Sequence, residues 1–387
     1  MKQQDQNTAV APSASEPISH EPISHEPISH DRGVSAVSRA IGDLRRGVPV
    51  VLRNGQSILI VAAAENGYSA MAKLAATLDG DITCAVTATR AEVLGLKQDG
   101  VTPVLIKTNN PFSATDIDCI IDDTIAVGET PTLSGANANA FESSAVDLVR
   151  VARLLPAALL RTSDGAAEAI AAREDFLIVD VQDIDHYRAA SENFLDALVE
   201  VDIPLAGAEI ASMSAFRPAD GGKPHLAIVV GKPDPSMPVL ARLHSECFTG
   251  DLLGSLRCDC GDQLRGAIEA ITQAGGGVLL YLAQEGRGIG LINKLRAYKL
   301  QDSGFDTIDA NERLGFDADE RVYTPAAAML KKLGFNSIRL MTNNPTKVAA
   351  LSAHGIVVTD RVPHAFPANG HNEHYLRTKA DRGGHIL

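Results

Sequence analysis

Two periodicities of hydrophobic residues alternate along the first half of the chain. Apolar residues recur at helical spacing in three segments, residues 35–46, 69–78 and 141–154. Short apolar runs of the kind that form buried strands lie at residues 49–52, 57–63, 82–86 and 176–181. This alternation predicts an α/β domain, which we place at residues 33–195.

The second half begins with three strand patterns set close together, at residues 209–216, 225–230 and 238–244. Further helical patterns lie at residues 263–274, 289–304, 324–333 and 345–353, and further strand patterns at 277–281 and 337–341. We expect a second domain at residues 204–387, after a linker around residues 196–207. The predicted fold class is α/β, or α+β, with two domains that are each a mixed sheet with packed helices.

A polar tail is predicted before the first helix. The segment Glu16-Pro-Ile-Ser-His20 is repeated twice more, ending at His25 and His30. Prolines at this spacing prevent a helix and little apolar surface can be buried, so residues 1–32 are expected to be disordered. Metal chelation by the three histidines is the alternative to a solvated tail.

Composition and charge narrow the class of protein. With 387 residues, 45% of them hydrophobic, the chain can form two cores of ordinary size. No apolar run is long enough to cross a bilayer and no signal-peptide pattern is present, so we expect a cytoplasmic protein without a membrane partner. The isolated Cys84 and Cys119 are expected to be core residues. The net charge of −13 argues against a nucleic-acid partner, and an anionic substrate would need a locally positive pocket.

The other three cysteines, Cys247, Cys258 and Cys260, lie in one short segment. One residue separates Cys258 from Cys260, and a glycine-containing loop connects them to Cys247, so three thiolates can meet at one Zn²⁺ ion. Three protein ligands leave a coordination position open, as in zinc sites that activate water. Two other interpretations stay open at this point: a structural zinc completed by His244, or three buried thiols.

Two loops of the second half have features of phosphate-binding sites. Gln284-Glu-Gly-Arg-Gly-Ile-Gly290 contains three glycines at alternate positions, the cation Arg287, and a following predicted helix whose N-terminus favours anions. Thr342-Asn-Asn-Pro345 begins a helix with Lys347 in its first turn, where a lysine opposes the helix dipole unless an anion is bound. A tight turn and ordinary helix capping are the alternatives.

A charged segment between these loops contains Asp319 and Arg321. On an extended chain these two residues project to the same side, so they would offer a base and a cation to one pocket. A solvated face is the more ordinary explanation of such a segment.

Together these motifs resemble the GTP cyclohydrolase II family over residues 204–387. The matching segments are Arg242-Leu-His-Ser-Glu-Cys247, Leu256-Arg-Cys-Asp-Cys-Gly261, Gln284-Glu-Gly-Arg-Gly-Ile-Gly-Leu291, Lys294-Leu-Arg-Ala-Tyr298, Asp319-Glu-Arg321, Thr342-Asn-Asn-Pro345 and Asn372-Glu-His-Tyr375. The resemblance implies one catalytic zinc ion per chain on Cys247, Cys258 and Cys260. It also implies that GTP is held by Arg242, Leu243, His244, Ser245, Glu246, Gln263, Glu285, Gly286, Arg287, Thr307, Thr342 and Lys347.

The same resemblance implies roles for three further residues. Asp319 matches the family's proton acceptor, Arg321 its proposed nucleophile, and Tyr298 an active-site tyrosine. A guanidinium group stays protonated, so stabilising phosphate charge is an equally good role for Arg321. By type, Glu285 and Gln263 are candidates for recognising the guanine edge.

The implied reaction opens the imidazole ring of GTP and releases formate and diphosphate. The product is a diaminopyrimidinone that carries a ribosylamino phosphate, the first intermediate of riboflavin biosynthesis. Mg²⁺ on the triphosphate and a homodimer are also expected. The alternative is a regulatory protein that binds guanine nucleotides without catalysis.

Residues 33–195 resemble 3,4-dihydroxy-2-butanone 4-phosphate synthase. The opening helix, the strand at 49–52, Thr108-Asn-Asn110 followed by a strand, and the segment 179–187 occur in that family's order. The family's acidic metal-binding loop is replaced by Arg53-Asn-Gly-Gln-Ser57, and its second metal-ligand motif by Arg161-Thr-Ser-Asp-Gly165. Because proton abstraction needs a base and a metal-polarised carbonyl, we predict that this domain is inactive as a synthase.

Overall fold

The computed structural model describes residues 31–77, 80–96, 102–108, 112–121, 133–368, 370 and 381–382. The histidine repeat, residues 109–110 and residues 372–375 lie outside them, so the expectations on those segments stay predictions. No helix within the described residues is long and apolar enough to span a membrane.

The first half of the chain forms a seven-stranded mixed sheet. Its strands are β1 (Val50–Asn54), β2 (Ser57–Ala63), β3 (Thr83–Val86), β4 (Val104–Thr108), β5 (Leu133–Asn137), β6 (Ala157–Ser163) and β7 (Ile178–Asp180). They lie in the order β5-β4-β3-β6-β2-β1-β7; β1 and β7 are parallel, and the other described pairs are antiparallel. The helices of this half are α1 (Arg32–Arg45), α2 (Gly67–Thr77), α3 (Ala88–Val93), α4 (Ala114–Ile121), α5 (Ala140–Val151), α6 (Ala167–Glu174) and α7 (Val181–Asn193).

This sheet is buried on both faces, as β2 shows. Leu59 and Val61 belong to the core that α1, α5 and α7 cover, whereas Ile58 and Ile60 belong to the core with α2 and α4. Successive side chains of a strand point to opposite faces, so both sets must be apolar. That is why β2 appears in the sequence as a continuous hydrophobic run.

The second half forms another seven-stranded sheet. Its strands are β8 (Leu195–Asp202), β9 (Ala211–Pro218), β10 (His225–Gly231), β11 (Val239–Ser245), β12 (Gly276–Leu282), β13 (Ser337–Met341) and β14 (Val357–Val362). The order is β14-β13-β11-β12-β10-β9-β8, parallel from β14 to β12 and antiparallel from β12 to β8. The helices are α8 (Cys260–Gln273), α9 (Leu291–Asp302), α10 (Thr307–Arg313), α11 (Thr324–Lys332) and α12 (Pro345–Ala353).

The parallel strands β12, β11 and β13 are neighbours, so their carboxyl ends lie at one edge of the sheet. The loops that follow β11, β12 and β13 begin at Glu246, Ala283 and Thr342, respectively. The cysteine segment, the glycine loop and the Thr342 motif therefore lie at the same edge, although they are far apart in the sequence. In α/β sheets this edge is where ligands bind.

The predicted fold class, two mixed sheets with packed helices, is confirmed. The linker expected around residues 196–207 is wrong in its first part, because β8 occupies it and pairs with β9. β8 is an edge strand in which only Leu195 and Ala197 are buried. Its other residues are largely polar or exposed, so its sequence lacks a clear strand pattern. The strand expected after Thr108-Asn-Asn110 is also wrong for the described residues: the next element that the structure describes is α4, where Ile117 and Ile120 are buried at helical spacing.

Candidate metal and ligand site

Three cysteine thiols meet beside the carboxyl end of β11. Cys247 lies just after this strand, and Cys258 precedes α8, whose first residue is Cys260. Their Sγ atoms all lie within 4.8 Å of one another, and those of Cys247 and Cys258 are 3.7 Å apart. Two thiolates on a tetrahedral zinc ion would be about 3.8 Å apart, given a Zn–S distance of about 2.3 Å. The spacing of the thiols therefore fits a shared metal ion.

The protonation chemistry of the three thiols also suits a cation. Hydrogen bonds from Cys258 and Cys260, together with the nearby Lys294 ammonium, lower the pKa of Cys247. The interaction with Cys247 in turn raises the pKa of Cys258 to about 11 and raises that of Cys260 as well. The protein alone thus favours one thiolate, whereas three adjacent thiolates need a cation between them.

The loop between the cysteines closes tightly around the thiols. A β-carbon at Gly250 would lie 2.8 Å from the Cys258 Sγ atom and 3.0 Å from the Cys247 Sγ atom. A β-carbon at Gly261 would overlap the carbonyl oxygen of Gly250. Neither glycine has a positive φ, so the loop requires the absence of a side chain at these positions, not an unusual backbone conformation.

Asp251 anchors this loop to the sheet. Its carboxylate accepts hydrogen bonds from the Cys247 backbone N–H at 2.9 Å and from the Tyr281 hydroxyl at 2.9 Å, and it bonds His244 Nε2 at 3.0 Å. His244 also stacks on Tyr281, with 5.6 Å between the ring centroids. Because His244 bonds Asp251 and does not join the cysteine group, the interpretation of His244 as a fourth metal ligand is not supported.

Lys294 and Glu285 form a buried ion pair beside the thiols. The Lys294 Nζ atom donates to Glu285 Oε1 at 2.8 Å, to Cys247 Sγ at 3.0 Å and to Thr249 Oγ1 at 3.1 Å. Glu285 Oε2 accepts from the Phe248 backbone N–H at 2.7 Å. Burial alone would lower the pKa of Lys294, but its hydrogen bonds to Cys247 and Glu285 outweigh burial and raise it. Lys294 therefore stays charged and favours the thiolate form of Cys247.

The thiols line an open cavity whose empty space, counted out to the surrounding solvent, is about 1160 Å³. Six cationic side chains and three carboxylates line it, although the whole chain has a net charge of −13, so the cavity suits an anionic ligand. The predicted site residues on its wall, besides the three cysteines, are Arg242, Leu243, His244, Ser245, Glu246, Gln263, Glu285, Gly286, Arg287, Tyr298, Thr307, Arg321, Thr342 and Lys347.

Asp319 does not line the cavity but is bound to Arg321, which does. Its carboxylate accepts hydrogen bonds from Arg321 Nε at 2.8 Å, Arg321 Nη2 at 2.5 Å and the Arg321 backbone N–H at 3.1 Å. Burial would raise the pKa of Asp319, but the bonds and charge of Arg321 outweigh burial and lower it. The pair is therefore fully ionised, with the guanidinium on the cavity side.

Several predicted polar groups already bond other side chains. The Gln263 amide accepts from Arg242 and donates to Asp259, and both oxygens of Glu285 are occupied. By contrast, Arg242 Nε and Ser245 Oγ are buried without a hydrogen-bond partner among the described residues. Both residues lie on the cavity wall, so these two unsatisfied atoms are part of the candidate site.

The glycine loop at residues 284–290 is shaped by contacts with the protein itself. Gly286, Gly288 and Gly290 have φ values of 64°, 98° and 88°, and Arg287 between them has 60°. A β-carbon at Gly288 would lie 2.8 Å from the Glu320 carbonyl oxygen. The glycines thus serve a tight turn against neighbouring segments, while Glu285, Gly286 and Arg287 of the loop line the cavity.

Five further residues, which the sequence motifs did not assign a role, lie at the site. Lys294 and Gly250 lie against the thiols, Asp251 bonds the Cys247 backbone, and Arg257 and His364 line the cavity. Lys294 lies in the first turn of α9, so the argument used for Lys347 would have found it. The role of Gly250 depends on how the side chains of Cys247, Cys258 and Cys260 fold around it.

In the first half, the position expected for an acidic metal loop is the hairpin between β1 and β2. Arg53 Nε and Nη2 donate to the Asp180 carboxylate at 2.6 and 2.8 Å, and Arg53 Nη1 donates to Glu168 at 2.7 Å. Arg161 is buried and donates to the carbonyl oxygens of Leu74 and Ala75. Within the described part of the chain, the cysteine group is the one cluster of three metal-ligating side chains.

The fold and the site define an α/β protein with a thiol cluster suited to a metal ion, beside a cation-lined cavity at the carboxyl ends of parallel strands. A family model for GTP cyclohydrolase II matches residues 196–363. A GTP cyclohydrolase-2 from Azospirillum brasilense is 50% identical over 366 residues, which cover 92% of this chain and 95% of that protein. This chain therefore belongs to the GTP cyclohydrolase II family and is an enzyme.

Other relatives match part of the chain. A GTP cyclohydrolase-2 from Azotobacter vinelandii is 58% identical over 178 residues, which cover 46% of this chain and 86% of that protein. A riboflavin biosynthesis protein RibBA from Cytophaga hutchinsonii is 44% identical over 253 residues, 63% of this chain and 62% of that protein. Among solved structures, the chain is similar to RibBX, a two-domain 3,4-dihydroxy-2-butanone 4-phosphate synthase from A. baumannii, at 18% identity and a TM-score of 0.32. The match covers 85% of this chain and 99% of the RibBX chain.

Replacing Gly250 by Ala should weaken metal binding by about 10- to 100-fold, because the added methyl group pushes the thiols apart. Metal content after dialysis against a weak chelator measures this loss. Gly254→Ala is the matched control: it strains the same loop at a φ of 64°, but its β-carbon meets nothing within 4 Å. Equal metal loss in both variants, or in neither, would contradict the steric explanation.

Proposed function

We propose that this enzyme hydrolyses GTP with a zinc ion on Cys247, Cys258 and Cys260. The reaction opens the imidazole ring, releases formate and diphosphate, and makes the diaminopyrimidinone that begins riboflavin biosynthesis. The observation that carries the proposal is the cluster of three thiols on the wall of a cation-lined cavity. Membership of the GTP cyclohydrolase II family and the name of the RibBA relative support the substrate and the pathway.

The cations of the cavity are suited to the triphosphate. Arg287, Arg321 and Lys347 line the cavity, and Lys347 is buried in the first turn of α12, where its charge opposes the helix dipole. Bound phosphate would stabilise these charges. Mg²⁺ would accompany the triphosphate, since no carboxylate cluster for it exists among the described residues.

We assign separate tasks to the proposed zinc ion and to the side chains around the cavity. A bound zinc ion would lower the pKa of a water molecule towards neutrality and thereby supply a nucleophile. Lys294 balances thiolate charge, and burial raises the pKa of Tyr298, which therefore stays protonated and can donate a hydrogen bond. Asp319 accepts a proton only when Arg321 leaves it, so we propose that Arg321 exchanges Asp319 for substrate phosphate and frees the carboxylate.

Residues 33–195 are proposed to form a domain without synthase activity. The hairpin at Arg53 carries an arginine paired with carboxylates, and Arg161 is used to bind backbone carbonyls. Neither position offers the base and the metal ligands that the synthase reaction needs.

The enzyme is proposed to be a homodimer in a reducing compartment such as the cytoplasm. All five cysteines are free thiols. Large apolar side chains are exposed on two segments that contact each other through Tyr298 and Thr249: Phe248, Leu252, Leu253 and Leu256 of the cysteine loop, and Ile292 and Leu295 of α9. An apolar surface of this kind favours a second copy as its partner.

Incubation with GTP should yield formate and diphosphate, and a zinc chelator should abolish both. Cys258→Ser should lose activity and zinc together, whereas Cys119→Ala, which removes a buried thiol far along the chain from the cluster, should retain both. GTP binding without formate release by the zinc-loaded protein would support the regulatory alternative instead. Adding ribulose 5-phosphate tests the first domain, and synthase product would contradict its assignment as inactive.

The role of Arg321 can be tested with GTP that carries a radioactive α-phosphate. If Arg321 is an electrostatic stabiliser, the quenched wild-type protein should carry no label. The Arg321→Lys variant should then still release diphosphate, about 100-fold more slowly than the wild type. Label on the wild-type protein that disappears in the Lys variant would establish a covalent nucleophile.

Leu253→Asp should convert the dimer to a monomer in sedimentation experiments, because it places a charge in the apolar surface. Ile210→Asp is the matched control, since Ile210 and Leu253 have exposed fractions of 67% and 66% but Ile210 lies outside the two segments. A monomeric wild type, or dissociation by the control alone, would contradict the proposal.

A further inference from the structure

The two halves of the chain share a small hydrophobic core. Leu155 of the first half is buried together with residues of the α9–α10 region of the second: Ile289, Ala297, Leu300, Ala310, Leu314 and Phe316. α9 carries Lys294 and Tyr298, so the first half packs behind one wall of the cavity. The site is therefore built against both halves.

Polar contacts extend this interface to the segment that leads to Asp319. The Thr87 hydroxyl donates to the Gly315 carbonyl oxygen at 2.8 Å, and the buried Arg90 donates to the Arg313 carbonyl oxygen at 2.6 Å. The Asn293 amide donates to the Arg153 carbonyl oxygen at 3.0 Å. The first two bonds fix where the segment at residues 313–321 begins, and the third holds α9 against the first half.

Arg150, in the last turn of α5, binds that segment directly. Its Nε atom lies 3.1 Å from both carboxylate oxygens of Glu320, its Nη2 atom lies 2.6 Å from Glu320 Oε1, and Nη2 also pairs with Asp317. The Glu320 side chain is 16% exposed and that of Arg150 is 26% exposed, so solvent screens this pair less than an ordinary surface pair.

The other side of the same segment is held by the glycine loop. The Glu320 backbone N–H donates to the Arg287 carbonyl oxygen at 3.0 Å, and Arg287 Nη1 donates to the Ala318 carbonyl oxygen at 3.2 Å. Asp319 and Arg321 flank Glu320 in the chain. The position of their side chains thus depends on Glu320 being held from both sides.

We propose that Arg150 is a positioning residue for ring opening: through Glu320 it holds the segment that presents Asp319 and Arg321 to the cavity. This inference rests on the proposed function. It gives the first half of the chain a task in the chemistry of the second, although none of the described residues of the first half lines the cavity.

Arg150→Ala should lower kcat for formate release by about 10- to 100-fold, because a displaced catalytic group costs rate steeply. The KM for GTP should change less than about threefold, since most cavity cations are held by other elements. Zinc content should be unchanged, because Arg150 does not contact the cysteine loop. Arg150→Lys, which keeps the charge but loses the two-pronged contact, should fall between Arg150→Ala and the wild type.

A double-mutant cycle and a control variant distinguish positioning through Glu320 from a general effect of Arg150 on the structure. If Arg150 acts through Glu320, the double variant Arg150→Ala with Glu320→Ala should be no slower than the slower single variant. Arg188→Ala is the control: Arg188 lies in the same cleft between the halves, but its ion pair with Asp147 at 3.0 Å stays within the first half. It should retain wild-type kcat.

The inference is overturned if the two single losses multiply in the double variant, if Arg188→Ala is equally slow, or if Arg150→Ala has wild-type kcat. Melting temperature and zinc content of each variant show whether it is folded and loaded. A wild-type protein that releases no formate would instead overturn the proposed function, so the two failures are distinguishable.

Discussion

Three thiolates cannot share one place without a cation, and the second half of this chain is arranged around that constraint. Cys260 begins a helix, where the dipole favours negative charge, and Lys294 donates to Cys247. Glu285 fixes Lys294 and the Phe248 backbone, so the glycine loop and the cysteine loop are bound to each other. Gly250 leaves the space in which the thiols converge. The same strand ends that deliver these groups also deliver the cavity's cations, which places a candidate metal site beside a candidate phosphate site.

Much of this arrangement could be predicted from the sequence, because its signals are local. The strand β13 and the helix α12 have the predicted bounds, and the residues proposed to hold metal and nucleotide line one cavity. Asp319, the expected proton acceptor, does not line it. The strand β8 was missed because an edge strand needs only one apolar face. The contact of Gly288 with Glu320 could not be predicted from the glycine spacing of the loop. Contacts between segments that are far apart in the sequence determine these features, and such contacts cannot be read from a single sequence.

The relation between the two halves is the least predictable feature. Sequence patterns in residues 33–195 suggest an enzyme fold without its chemistry, and the structure shows arginines used for internal pairing, as in Arg53 with Asp180. The same half packs Leu155 behind α9 and binds Glu320 through Arg150. Through these contacts the first half supports one wall of the cavity in the second half.

The proposed mechanism requires that the three thiolates hold zinc with one coordination position left for water. X-ray absorption at the zinc edge of the purified, metal-loaded protein counts and identifies the zinc ligands. We expect three sulfur neighbours at about 2.3 Å and one oxygen neighbour at about 2.0–2.2 Å. Four protein ligands, whether a fourth sulfur or a nitrogen with the scattering pattern of an imidazole ring, would contradict it, and so would a protein that binds no zinc.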